Sequence, residues 1–256
     1  MKKRYYILTA IITYLFFTLS NVPAAKVISL VDENTDIPVK FYGVYGSLWN
    51  GGASTAIAHG HPPIKDLQWS INPAALLLAS ISADVKGNIK EQNVLGNVSI
   101  GITGNISASD LRARIDAEVI QQLVSMPLGE LGGFFNINID SLELPEEGPP
   151  LINGTIKWKN AQFTLLDTVN LGDIDLELAP DDENQLTAKI SNKKGDLSLD
   201  GNAVLDLSNG YNLELSITPE KSAAQNIRES LTMFAKRQTD GSYLVKRRGK
   251  LNELKL

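Results

Sequence analysis

Along most of its length the chain alternates apolar and polar residues with a period of two. This is the pattern of strands that bury one face. Val39, Phe41 and Tyr45 alternate in this way, and so do Leu67, Trp69 and Ile71. Val98, Ile100, Ile102 and Ile106 stand against Asn97, Ser99, Gly101, Thr103 and Asn105, which predicts one half-buried strand. Phe135, Ile137 and Ile139 repeat the pattern, followed by Ile152 to Trp158, Ile174 to Leu178, Leu186 to Ile190, Leu197 to Leu199, Ala203 to Leu207 and Leu213 to Ile217. Gly, Asn and Pro mark turns between them at short intervals, so the pattern predicts an antiparallel meander. Three alternating stretches stop at Pro73, Pro180 and Pro219, where a ladder would lose an N–H donor. Gly46 to Trp49 and Gly154 to Trp158 precede the first two prolines at nearly equal distance, which suggests a duplicated unit.

Other stretches depart from that period. Asn72-Pro73 reads as an N-cap followed by Pro at the first helical position. Ala74 to Ala79 then fits either a short buried helical turn or a buried strand. Ser109-Asp110 opens a segment in which Leu111, Ile115, Val119 and Leu123 recur every four residues, predicting an amphipathic helix that ends at Met126-Pro127. Thr218-Pro219 opens another, with Ala223, Ala224, Ile227, Leu231 and Phe234 as its stripe and Lys236 and Arg237 suited to its C-terminal end. Asp240 to Val245 predicts a hairpin into a last strand. Asp32 to Asp36 reads as a polar loop. Glu143 to Pro150 is dense in Pro and Gly, and divides the chain into a β-rich half over 26–148 and a second over 149–256.

The N-terminus changes the picture. Met1-Lys2-Lys3-Arg4 is basic, and no residue from Tyr5 to Ala25 carries charge. A bilayer core needs about 20 apolar residues as helix, and basic residues stay on the cytoplasmic side. A cleaved signal peptide ending near Val22-Pro23-Ala24 is the competing reading. The length of the apolar run and the position of Pro23 favour an uncleaved anchor over 1–25. The expected fold is therefore mainly β: one N-terminal transmembrane helix followed by a curled antiparallel β-sheet, built of repeated units with two or three amphipathic helices.

Composition narrows the chemistry. At 256 residues with 43% hydrophobic content, a sizeable core is available. A net charge of -5 argues against a nucleic-acid partner. Cys is absent and His59 and His61 are the only histidines, which excludes thiol chemistry and multi-imidazole sites. His59 and His61 lie among Gly and Pro and read as a solvated turn rather than a metal pair. Asp173, Asp175 and Glu177 form the polar face of a strand, and Asp181-Asp182-Glu183 a turn; they lack the spacing of a calcium loop. Lys246, Arg247, Arg248, Lys250 and Lys255 make a basic tail with no function assigned. Trp49, Trp69 and Trp158 read as core residues ahead of interface anchors. No Gly-x-Ser-x-Gly, phosphate loop or His-Glu-x-x-His is present, so the reading is not an enzyme, with no catalytic, cofactor-binding or metal residue singled out.

Four blocks in order carry a resemblance: the basic-then-apolar Lys2 to Leu19, Gly46-Ser47-Leu48-Trp49-Asn50-Gly51, Leu67 to Pro73, and Asp240-Gly241-Ser242-Tyr243. The chain resembles the protein N family of the bacterial type II secretion system. The resemblance implies a non-catalytic protein of the inner membrane with one membrane helix and its bulk in the periplasm. It implies partners among the inner-membrane and periplasmic secretion subunits, and a role in export of folded proteins across the outer membrane. The alternative, from the strand pattern alone, is a periplasmic lipid-binding or lipid-handling β-groove whose apolar face two helices are too few to cover.

Overall fold

The computed structural model describes residues 6–7, 13–14, 17–18, 21–34, 39–58, 62–123, 129–145, 150–164, 167–181, 185–206, 210–221, 223 and 225–249. The chain divides into two compact units, Met1–Ile102 and Thr103–Leu256. Both are dominated by antiparallel strands, as the alternation requires.

The first unit contains α1 (Ala24–Asn34) and the meander β1 (Val39–Gly46), β2 (Asn50–Ala58), β3 (Ile64–Asn72), β4 (Ser80–Ile89) and β5 (Gln92–Gly101). Each strand pairs antiparallel with the next. One face carries Trp69 opposite Val85, and Ile71 opposite Ala83, which in turn pairs with Val98. The other face is polar. Ser70 donates to Asn50 Oδ1 at 2.8 Å, and Asn97 accepts from Ser82 at 3.0 Å and donates to Asp84 at 3.0 Å. The small-residue run in β2 lets neighbours close in, and Ala53 and Ala56 are buried.

The second unit runs β6 (Ile106–Asp116), α2 (Ala117–Leu123), β7 (Glu130–Leu144), β8 (Leu151–Thr164), β9 (Thr168–Pro180), β10 (Leu186–Lys193), β11 (Leu197–Asp206), β12 (Gly210–Pro219), α3 (Gln225–Phe234), β13 (Lys236–Arg237) and β14 (Tyr243–Gly249). The strands again pair in sequence, except that β14 pairs with β12 and the two-residue β13 lies outside β14. An apolar register row crosses it through Ile137, Ile156, Leu176, Ile190, Gly201 and Leu215. The neighbouring row is Asn136, Lys157, Asp175, Ser191, Asp200 and Ser216. A period of two thus becomes one apolar and one polar face. The core gathers where Ile227 and Leu231 of α3 cover Ile174, Leu197, Leu199 and Trp158.

Several expectations need correcting. The helix expected from Ser109 is the strand β6 as far as Asp116, and only Ala117–Leu123 is helical. A four-residue recurrence is two strand periods as well as about one helical turn. The alternation of Leu111, Ala113 and Ile115 with Arg112, Arg114 and Asp116 is compatible with a strand, and pairing with β7 decides for it. The half-buried strand expected through Ile106 stops at Gly101, and β6 begins only at Ile106. Helix α1 continues to Asn34 through part of the expected polar loop. The turn after Asn72 is a 3-10 helix, Pro73–Leu78, but it is not buried: Leu76, Leu77 and Leu78 are exposed. The two segments expected across 197–207 are one strand, β11, and the expected basic tail is largely β14.

The expected membrane helix over 1–25 falls mainly outside the described residues. Of those described there, 6–7, 13–14 and 17–18 are helical, and 24–25 begin α1. Among the described residues no helix is long and apolar enough to cross a membrane. The Pro- and Gly-rich stretch after Leu144 joins β7 to β8, which pair with each other.

Candidate functional site

The turn between β1 and β2 gathers more cross-chain bonds than its length suggests. Gly46 turns with φ +78° and Ser47 N–H donates to Asn50 O at 2.9 Å, closing the loop. From one side the N-terminal chain docks on it: Leu48 N–H donates to Val22 O at 2.8 Å and Pro23 bridges to Ser47. From the other side β3 docks: Ile71 N–H donates to Trp49 O at 2.7 Å, and the Trp69 indole N–H to Leu48 O at 3.0 Å. A Cβ on Gly51 would meet Trp69 Cζ2 at 2.7 Å, so glycine there lets the indole lie flat across the neighbouring strand. Two of the four motif blocks, Gly46 to Gly51 and Leu67 to Pro73, are therefore one assembly that receives the N-terminal segment.

The same assembly holds the exposed 3-10 helix. Asn72 Oδ1 accepts from Ala74 N–H at 3.0 Å, the N-cap bond that its side chain is suited to make. Ala79 closes the other end in the left-handed region, with its N–H donating to Leu76 O at 3.1 Å. Beside α1, a cleft of about 380 Å³ lies against β1, lined by Ile28, Ser29, Phe41 and Val44 and bounded by the Asp32–Lys40 ion pair.

The tryptophans divide by role. Trp158 stacks on Phe135 with centroids 5.0 Å apart, and its indole N–H donates to Gly132 O at 2.8 Å. Trp69 pairs with Gly51 and donates to the carbonyl three residues earlier, Leu48; Trp158 pairs with Phe135 and donates to the carbonyl three residues earlier, Gly132. The structural counterpart of Trp158 is thus Trp69. Trp49 lies in the turn, so aligning it with Trp158 by sequence matched unlike positions.

Of the weighed metal candidates, His59 and His61 lie outside the described residues, as do 182–184. Asp173 is committed elsewhere: Lys159 Nζ donates to it at 2.9 Å and Asn160 N–H at 3.1 Å, holding its carboxyl below the usual 3.8. Asp181 Oδ1 accepts from Gln185 N–H at 2.8 Å and shapes a turn. The Asp240-Gly241-Ser242-Tyr243 block is a turn as well. Asp240 accepts from the Ser242 hydroxyl at 2.7 Å and from its N–H at 2.9 Å, which lowers its pKa, while Gly241 takes φ +88° and Tyr243 is buried. Lys246 pairs with Glu214 at 2.7 Å; Lys250 and Lys255 lie outside the described residues.

Comparison with known proteins bears on what such an assembly serves. No solved structure matches the chain. It is similar to the type II secretion system protein N of Vibrio cholerae serotype O1 (strain ATCC 39315 / El Tor Inaba N16961), with 24% identity over 214 residues, covering 82% of this chain and 84% of that protein. The profile of the family described as "Type II secretion system (T2SS), protein N" matches residues 38–246, spanning three of the four motif blocks. The chain belongs to the protein N family of the type II secretion system.

Proposed function

We propose that the protein is a non-catalytic, inner-membrane-anchored component of the type II secretion machinery, supporting export of folded proteins across the outer membrane. Family membership carries the reading. The charge pattern supports the anchor: Lys2, Lys3 and Arg4 stay in the cytoplasm, the uncharged run from Tyr5 crosses before the chain reaches the sheet at Val22, and both β-rich units lie in the periplasm. The bonds from Val22 and Pro23 to the β1–β2 turn support a fixed link from anchor to sheet. Secretion subunits are the expected partners. The outer edge of β1 is one place to receive them, because among the described residues β1 pairs as a strand only with β2.

The test is deletion with complementation. Loss of secreted protein, with cargo retained in the periplasm and outer-membrane permeability unchanged, supports the reading. Normal secretion in the deletion strain sinks it. Protease protection of a C-terminal tag in spheroplasts would place the bulk of the chain in the cytoplasm and refute the orientation. Native mass spectrometry separates the lipid-groove alternative, which requires lipid to co-purify with the β-rich body.

A further inference from the structure

The ends of the first unit differ in charge. No Asp, Glu, Lys or Arg lies between Lys40 and Lys65, between Asp66 and Asp84, or from Gln92 to Ile102. The meander turns these gaps into a position in space. The β1–β2 turn, the 3-10 helix and the end of β5 come together at one end of the strands. The charged Lys65-Asp66, the Lys90-Glu91 turn and the Asp32–Lys40 pair sit at the other end.

The uncharged end is also greasy. Leu77 is 89% exposed, Leu78 82% and Ile102 78%. These side chains are held outward by backbone bonds. Asn72 caps the 3-10 helix, Ser80 Oγ donates to Ala75 O at 3.2 Å, and Ile102 N–H donates to Ala79 O at 3.1 Å. The tip thus pairs several of its backbone groups internally, which lowers the cost of leaving water. An exposed apolar cluster on a rigid mount marks a surface that something covers.

The N-terminal chain identifies the cover. The uncharged run from Tyr5 joins the sheet at Val22 and Pro23, through the same β1–β2 turn that bonds to β3 one residue before Asn72. Helix α1 then leads away toward the charged end, where Asp32 meets Lys40. The one charged residue in the first turn of α1 is Lys26, a cation suited to anionic headgroups. We infer that this end of the first unit lies in the surface of the bilayer, with Leu77, Leu78 and Ile102 inserted at the headgroup–acyl boundary beside the anchor. The inference rests on the anchored reading above, and adds a second membrane contact that orients the sheet.

The absence of Cys makes the test clean. Leu77→Cys, Ile102→Cys and, at the charged end, Lys90→Cys are each made in the full chain and labelled with an environment-sensitive fluorophore. The proteins are reconstituted in vesicles of phosphatidylethanolamine and phosphatidylglycerol containing a doxyl-labelled lipid. Quenching several-fold stronger at positions 77 and 102 than at 90, with poor access for aqueous iodide, is the expected result. Equal quenching and equal iodide access at all three positions overturns the inference. So does a probe at position 77 that becomes shielded only when solubilised envelope proteins are added, because its cover is then a protein. Flotation of the vesicles after carbonate washing reports the anchor independently. If the protein fails to float, the anchored reading falls and this inference with it. If it floats while position 77 stays wet, only the inference falls.

Discussion

Trp158 shows how one residue ties two levels together. Its ring packs on Phe135 and the α3 core, and its N–H satisfies Gly132 O. Trp158→Ala should destabilise by about 3–5 kcal/mol, through lost burial and a cavity. Trp158→Phe keeps most of the packing and loses one hydrogen bond, so about 1 kcal/mol is expected. Urea denaturation of the two variants separates these terms, and equal losses would show that the hydrogen bond, not packing, dominates. Asp173 makes a prediction in pH. Its carboxyl is held low first by Lys159, then by the Asn160 N–H. A depressed folded pKa stabilises the fold above the ordinary value of 3.8, and the contribution is lost as pH falls through the lower folded value. Asp173→Asn should therefore lower stability at neutral pH and flatten its fall below about pH 4. The partial exposure of the pair keeps the effect small. A variant whose acid unfolding curve overlays that of the parent would sink the assignment.

At the scale of elements, irregularities in the ladder matter as much as the strands. Gly133 takes φ +88° at a register shift between β7 and β8, where a Cβ would meet Lys159 O at 2.3 Å and Asn160 O at 2.5 Å. Gly133→Ala should cost more than the roughly 1 kcal/mol of a left-handed alanine, because backbone atoms block the added carbon. Thermal unfolding would check this, and an unchanged midpoint would refute it. Helix α3 is the lid of the second unit's core, and Ile227 is its buried contact. Ile227→Ala should lose about 2–4 kcal/mol and speed hydrogen exchange in β8, β9 and β11, which share its core, with the strands of the first unit little affected. The short β13, with its exposed Lys236 and Arg237, covers the outer edge of β14 with charge, a device that discourages unwanted strand addition.

For the whole molecule, the decisive question is whether the anchor acts only as an address. If the link through Val22, Pro23 and the β1–β2 turn is functional, replacing residues 1–21 by a cleavable signal should release a folded β-rich body that no longer supports secretion. Fractionation and circular dichroism establish release and folding, and a secretion assay reads the outcome. Full secretion by the released form would show that anchoring is dispensable.

The sequence by itself determined the fold class, because side-chain period is a local property: alternation at two residues can bury only one face of a strand, and it marked most of the strands, while β2, β4, β6 and β13 escaped it. It also determined the cap at Asn72-Pro73 and the turn at Asp240, where short-range backbone chemistry suffices, and the apolar stripe of the helix ending at Phe234, although that helix starts at Gln225 rather than at Thr218-Pro219, which ends β12, and Lys236 and Arg237 form β13. The four motif blocks were equally legible as strings. Tertiary structure alone decided the rest. Leu111, Ile115 and Val119 suit either a helix or a strand until β7 supplies a ladder for β6. Three leucines after Ala75 look like core until the fold turns them outward and leaves them exposed. Trp69, not Trp49, is the counterpart of Trp158, because equivalence depends on which backbone carbonyl each indole reaches across the sheet. That two distant blocks and the N-terminal chain share one turn is a fact of register, and register is set by pairing between strands rather than by any strand alone.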